Sequence, residues 1–183
     1  MTIEKTPIKD LVIITPRLFE DSRGSFFEAY NQAQFLEKNI NYSFIQDNQS
    51  FSKRGVIRGL HLQISPFAQA KLVRVLEGEI LDVAVDLRKN SGTFGQHVSV
   101  ILSAANKKQL VVPSGFAHGF SVLSETASVL YKVDQLYDKE SERGIRFDDP
   151  SLAIDWQLDS SEVIVSEKDL LLPNFNQIDW TFE

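Results

Sequence analysis

Apolar positions in the middle of the chain fall into short runs of period two, separated by small polar turns. The runs cover residues 73–75, 79–87, 98–102, Gln109–Val112, 116–123 and 127–133, and the first two are rich in β-branched side chains. Turn residues punctuate them: Glu77-Gly78, Ser103-Ala104-Ala105-Asn106, Pro113-Ser114-Gly115 and Ser124-Glu125. Short strands at roughly 8–12-residue spacing with polar turns predict a sandwich or a barrel. The helical period appears only over residues 32–39 and in a short piece after Ser166. No repeat, low-complexity tract or linker interrupts the pattern, so it predicts one mainly-β domain over residues 1–183.

Within residues 80–87 one parity holds Leu81, Val83, Val85 and Leu87, while the other holds Ile80, Asp82, Ala84 and Asp86. Alternate side chains of a strand point to opposite faces, so the strand has one apolar face and one that is small or acidic. The second face lines a polar cavity or meets solvent; this strand alone leaves both open.

Composition narrows the classes. Hydrophobic residues are 43% and charged residues 24%, as in ordinary globular chains. No run reaches the ~18 apolar residues of a membrane span, and Met1-Thr2-Ile3-Glu4-Lys5 lacks the pattern of a secretory leader. A cytoplasmic protein with no membrane association is expected. With no cysteine, disulfides, thiolate metal sites and a cysteine nucleophile are excluded. A formal charge of −6 argues against nucleic acid as partner but not against a small phosphorylated ligand, which a few arginines can hold.

Only three histidines can do acid–base work: His61, His97 and His118. His61 lies in Arg58-Gly59-Leu60-His61-Leu62-Gln63, where strand alternation groups Gly59, His61 and Gln63. A lone strand histidine is more often structural, yet Arg58, Lys71 and Arg74 lie near in sequence and favour a neutral imidazole, the form a base needs. Tyr131 shares a strand face with two valines, the pattern of a core tyrosine. Asp169, three residues after Ser166, fits a helix-capping pattern. No Gly-rich phosphate loop or nucleophile elbow occurs, so Rossmann, P-loop and serine-hydrolase chemistry are unsupported.

His118 ends Pro113-Ser114-Gly115-Phe116-Ala117-His118, a Pro-x-Gly-x-x-His spacing that resembles the second signature of the cupin fold. In metal-binding cupins the first signature supplies His-x-His and a Glu; here it reads His61-Leu62-Gln63. Two histidines are too few for a three-ligand centre, so no metal is expected.

A longer series resembles the dTDP-4-dehydrorhamnose 3,5-epimerase family. It comprises Phe19-Glu20-Asp21-Ser22-Arg23-Gly24-Ser25-Phe26, Gln46-Asp47-Asn48, Arg58-Gly59-Leu60-His61, and Lys71-Leu72-Val73-Arg74-Val75. It continues through residues 82–88, Thr93-Phe94-Gly95, residues 113–120, Tyr131-Lys132 and Ser166-Glu167-Lys168-Asp169. The resemblance implies a cupin-type double-stranded β-helix, a jelly-roll barrel with a few short helices. It implies a dTDP-linked 4-keto sugar as substrate and proton exchange beside the ketone, without cofactor. His61 becomes the base, oriented by Asp169, with Tyr131 the opposing proton donor and Lys71 the enolate stabiliser. Arg23, Arg58 and His118 would meet the diphosphate or sugar. Glu28, Gln46, Asp47, Asn48, Glu142 and Lys168 would surround nucleoside and sugar, and Tyr137 would stack on thymine. An N-terminal strand exchanged in a homodimer would carry Arg23 and Glu28 into the partner's site. Leu62 and Leu136 depart from residues that are often aromatic in the family. Alternatives are a one-carbon epimerase or keto-isomerase on another 4-keto sugar, a non-catalytic cupin, and a metal-dependent cupin.

Overall fold

Two antiparallel sheets face one another in this computed structural model, which describes residues 1–180 and Phe182. In chain order the strands are β1 (Thr2–Lys5), β2 (Val12–Thr15), β3 (Phe19–Asp21), β4 (Gly24–Phe26), β5 (Gln46–Lys53) and β6 (Ile57–Gln63). They continue with β7 (Lys71–Glu77), β8 (Glu79–Asp86), β9 (His97–Ser103), β10 (Gln109–Val112), β11 (Phe116–Val122), β12 (Thr126–Val133) and β13 (Glu142–Gly144). One sheet runs β1-β2-β10-β7-β12-β5 and the other β13-β6-β11-β8-β9, while β3 and β4 form a separate hairpin. The helices are short: α1 (Gln32–Glu37) and α2 (Glu167–Leu170). This is the mainly-β, double-sheet barrel expected from the turn-punctuated pattern.

Each layer follows from period-two alternation. Val73 and Val75 of β7, Ile80 and Ala84 of β8, Phe116 and Phe120 of β11, and Ala127 and Val129 of β12 fill the space between the sheets. The other parity of β8, Leu81, Val83 and Val85, packs outward against Ile145, Leu152 and Trp156 of the C-terminal segment. On the opposite sheet Leu72 and Val111 pack beneath Phe35 of α1 and Ile40. Burying a large apolar side chain contributes about 1.5–3 kcal/mol, so Ile145, Leu152 and Trp156 alone anchor the C-terminal segment firmly. Hydrogen bonds from Ile57 N to Ile164 O and from Ile164 N to Gly55 O, both 2.9 Å, tie that segment to the start of β6. It therefore reaches α2 already docked beside β6.

β6 departs from simple alternation. Against β11, His61 pairs with His118 and Arg58 pairs with Phe120, so two residues of β6, Gly59 and Leu60, stand opposite one of β11, Gly119. Such a bulge re-aims side chains. Arg58 and His61, on opposite faces of a regular strand, both reach the same cavity. Gly59, with φ +129°, lies inside the bulge, and a Cβ there would come 2.5 Å from Gly119 Cα and 2.8 Å from His118 O. Only glycine fits that approach.

Candidate active site

A cavity of about 470 Å³ opens between the sheets, walled by Arg58 and His61 of β6, Lys71 of β7, His118 of β11, Tyr131 of β12 and Asp169 of α2. A slightly larger hollow, about 520 Å³, lies beneath the β1–β2 edge among Lys5, Lys9, Lys38 and Tyr42. Its lining has no histidine, and its carboxylate Asp10 is taken by Arg88 at 3.1 Å, so chemistry rather than volume selects the first.

Nε2 of His61 lies 2.7 Å from Asp169 Oδ1. An ionised carboxylate only accepts, so the ring N–H sits on Nε2 and the lone pair falls on Nδ1. Burial works to raise the Asp169 pKa, but the hydrogen bonds it accepts from His61, the Gly59 N–H and the Ser166 hydroxyl outweigh burial and hold it below the usual carboxylate range. The cap of α2 is Ser166, whose side chain accepts from the Asp169 N–H. The side chain of Asp169 is thereby free to serve His61, and the capping pattern read from sequence is satisfied by Ser166.

Lys71 is buried, and its Nζ donates to the His61 carbonyl at 3.3 Å. Desolvation lowers its pKa to about 8, opposed by the charges of Asp82 and Glu142. Arg74 takes the other face of β7, its guanidinium over the Phe27 ring, and is not among the cavity cations. Across the cavity, burial raises the Tyr131 pKa, with Arg58 lowering and Glu142 raising it, so the phenol keeps its proton at neutral pH. Arg58 Nε donates to Ser52 Oγ at 3.0 Å, which aims the guanidinium from behind. His118 Nε2 lies 2.8 Å from Asp82 Oδ1, forming a second, fully buried histidine–carboxylate pair.

At the rim Glu142 Oε2 accepts from Tyr137 OH at 2.9 Å and from Lys168 Nζ at 2.6 Å. Gln46 and Asn48 lie on one parity of β5, with Asn48 opposite Tyr131, and Gln46 Nε2 donates to Asn48 Oδ1 at 2.9 Å. Asp47 has the other parity and pairs with Lys132 at 2.8 Å, turned from the cavity. Arg23 sits on the exposed β3–β4 hairpin, paired with Asp21 at 2.7 Å, and Glu28 accepts from Asn31 and Gln34. Neither borders the cavity of its own chain.

Gln63, in the place of a second cupin histidine, is committed elsewhere. Its amide donates to the carbonyls of Phe67 and Leu136 and accepts from Asp138 N–H, knitting two loops together. Leu62 packs in the outer core and Leu136 is exposed, so neither departure touches the cavity wall. Sequence reasoning missed Ser52 and Asp82 as supports, and read Ser166 only as part of the capping pattern. Asp82 had a signal, its parity with Ile80 and Ala84; Ser52 had none before its partner was placed.

Residues 5–177 match the sequence profile of the family described as dTDP-4-dehydrorhamnose 3,5-epimerase. The chain belongs to this family. A dTDP-4-dehydrorhamnose 3,5-epimerase of Pseudomonas aeruginosa is 53% identical over 170 residues, covering 92% of this chain and 93% of the relative. The crystal structure of a family member from Elizabethkingia anophelis superposes with a TM-score of 0.95 at 54% identity, covering 98% of this chain and 99% of that one. A dTDP-6-deoxy-D-glucose-3,5-epimerase from Legionella pneumophila, in complex with dTDP-4-keto-L-rhamnose, superposes at 0.93 with 49% identity, covering 97% and 94%. Among dTDP-4-dehydrorhamnose 3,5-epimerases, then, this chain matches over nearly its whole length, barrel and C-terminal segment together.

Proposed function

We propose that the chain converts dTDP-4-dehydro-6-deoxy-D-glucose to dTDP-4-dehydro-L-rhamnose, with His61 as base and Tyr131 as acid. The observation that carries the assignment of roles is the geometry of the cavity. A carboxylate-anchored imidazole, a protonated phenol and a buried ammonium border one space of a sugar's size. The Legionella relative's bound dTDP-4-keto-L-rhamnose supports the same substrate class.

The 4-keto group acidifies the hydrogens on both flanking carbons. His61 takes one as a proton, the C–H electron pair moves into an enolate, and the negative charge collects on the keto oxygen. Lys71 stabilises that oxygen electrostatically. Tyr131 returns a proton to carbon from the opposite face, inverting the centre, and solvent exchange resets phenolate and imidazolium. Proton transfer by positioned groups completes the route without electron transfer to any carrier. Arg58 and His118 meet the diphosphate or sugar, Tyr137 stacks on thymine, and Gln46, Asn48, Glu142 and Lys168 border sugar and nucleoside.

Arg23 and Glu28 fit this scheme only in an assembly, whereas Asp47 is held by Lys132 on the face turned from the cavity. The exposed hairpin bearing Arg23, with Phe19 and Phe26 also exposed, supports a homodimer in which the arm completes a partner's site. No helix among the described residues is long and apolar enough to cross a membrane, and we place the enzyme in the cytoplasm.

Incubation with dTDP-4-keto-6-deoxyglucose in heavy water tests the reading. Deuterium at both flanking carbons, with L-configured product, supports double epimerisation; exchange at one carbon only would establish a one-carbon epimerase. Arg58→Ala is expected to raise KM strongly, at least tenfold if the contact is worth ~1.5–3 kcal/mol as a hydrogen bond to a charged group. Lysine in its place rescues only partly, because it lacks the fork. Unchanged dTDP affinity in Arg58→Ala and Arg23→Ala, read by calorimetry, would remove both from the diphosphate site.

A further inference from the structure

Asp82 is completely buried in the middle of β8, on the barrel-facing parity between Ile80 and Ala84. Its Oδ1 accepts from His118 Nε2 at 2.8 Å, while Oδ2, equally buried, accepts no hydrogen bond among the described residues. An ionised carboxylate buried with half its lone pairs unmet is costly. A small apolar residue between Ile80 and Ala84 would avoid that penalty and suit the barrel interior. The carboxylate therefore needs a counter-charge, and the buried ammonium of Lys71, on the facing sheet, is within its electrostatic reach.

Register makes the arrangement specific. His118 stands directly across from His61 in the β11–β6 pair, and each imidazole has its own buried carboxylate behind it. Asp169 anchors the base from α2, packed beside β6; Asp82 anchors the neighbouring ring from β8. Lys71, bonded to the His61 carbonyl, lines the same cavity as both rings.

We propose that Asp82 is a positioning residue of the epimerisation, fixing His118 at the cavity wall and, by its negative charge, holding Lys71 as an ammonium. This rests on the reading of Lys71 as the enolate stabiliser. Desolvation drives the Lys71 proton off, and the negative charges of Asp82 first and Glu142 second oppose it. The other ionisable groups around the cavity are His61, Arg58, His118, Tyr131, Lys168 and Asp169. Of the two opposing carboxylates, Glu142 is already engaged by Lys168 and Tyr137. Asp82, with a free oxygen in the interior, carries the larger share.

The test is the pH profile of kcat for the purified full-length chain carrying Asp82→Asn. The amide oxygen still accepts from His118, so dTDP affinity and KM are expected to stay near wild type. The negative charge is gone, so the alkaline fall in kcat moves to lower pH, by about one pH unit if Asp82 contributes a tenfold bias toward the ammonium. A kcat profile superimposable on wild type, or a loss confined to KM, overturns the proposal. Should Asp82→Asn not fold, Asp82→Ala removes the charge together with the His118 hydrogen bond, so only its kcat profile is read: an alkaline fall left where wild type has it overturns the proposal. Lys71→Met separates the two layers of the argument. If that variant is fully active, the role of Lys71 fails; if it is inactive while Asp82→Asn keeps the wild-type profile, only the role of Asp82 fails.

Discussion

His61→Ala, folded and still able to bind dTDP, is expected to incorporate no solvent deuterium at either carbon beside the ketone. The loss should reach at least the ~10²–10⁴-fold attributed to a positioned general base. Asp169→Asn should act as a weaker version of the same lesion. Its side chain is not the cap of α2, since Ser166 accepts the Asp169 N–H, so the substitution removes the charge behind the imidazole while leaving the helix start intact. Tyr131→Phe should differ in kind: abstraction by His61 continues, so exchange persists at one carbon or more while L-configured product falls. Mass spectrometry of the recovered sugar nucleotide reads all three variants. Full activity in Asp169→Asn, or normal exchange in His61→Ala, would sink the dyad.

Lys71→Met should lose turnover and gain stability at neutral pH, two changes of opposite sense from one side chain. Lys71 titrates at about 8 in the folded protein against 10.5 when solvated. Below pH 8 both states hold the proton, and the folded state bears the full desolvation cost, roughly 3 kcal/mol from that displacement. Between about 8 and 10.5 the unfolded chain binds more protons, so wild-type stability rises with pH across that window. Methionine, uncharged at every pH, should therefore unfold at higher urea than wild type at pH 7, with the advantage fading toward pH 10.5. Turnover should fall by ~10²–10³, the usual loss of one oxyanion stabiliser. Wild-type turnover itself should decline as pH passes about 8. A variant that is active, or no more stable at neutral pH, contradicts the placement of a buried ammonium at the reacting oxygen.

The strands from β7 to β12 were legible because each is an apolar run closed by its own turn residues, and the observed ranges match the runs to within a residue or two at most ends. α1 ends at Glu37 rather than 39, because Asn39 takes a left-handed φ of 61° that stops the helix. β1, β2 and β13 were not read from the sequence, and β3 to β5 entered only as segments of the family resemblance. β5 carries polar residues on both parities, Gln46-Asp47-Asn48-Gln49-Ser50, and a sheet edge beside a cavity demands no apolar alternation. The site was partly legible for the same physical reason. His61, Tyr131, Lys71 and Arg58 sit on strands whose parity can be counted, yet the bulge at Gly59 shifts the count and places Arg58 with His61. Asp82 could be counted too, but its face could not be assigned to cavity or solvent until the other sheet was seen to cover the Ile80–Ala84 face of β8. The join between Asp169 and His61 spans 108 positions of sequence, and no local pattern encodes it.

That long join ties catalysis to the C-terminal segment. Asp169 follows every barrel strand in the chain, so the anchor of His61 comes from the segment laid over the finished sheets. A domain folds as a unit, and this one is a competent catalyst only with Leu152 and Trp156 seated against the outer face of β8. A protease that removes the segment beyond Gly144 would therefore take the carboxylate from the imidazole and silence the enzyme, though every strand that bears His61, Lys71 and Tyr131 is still in the chain.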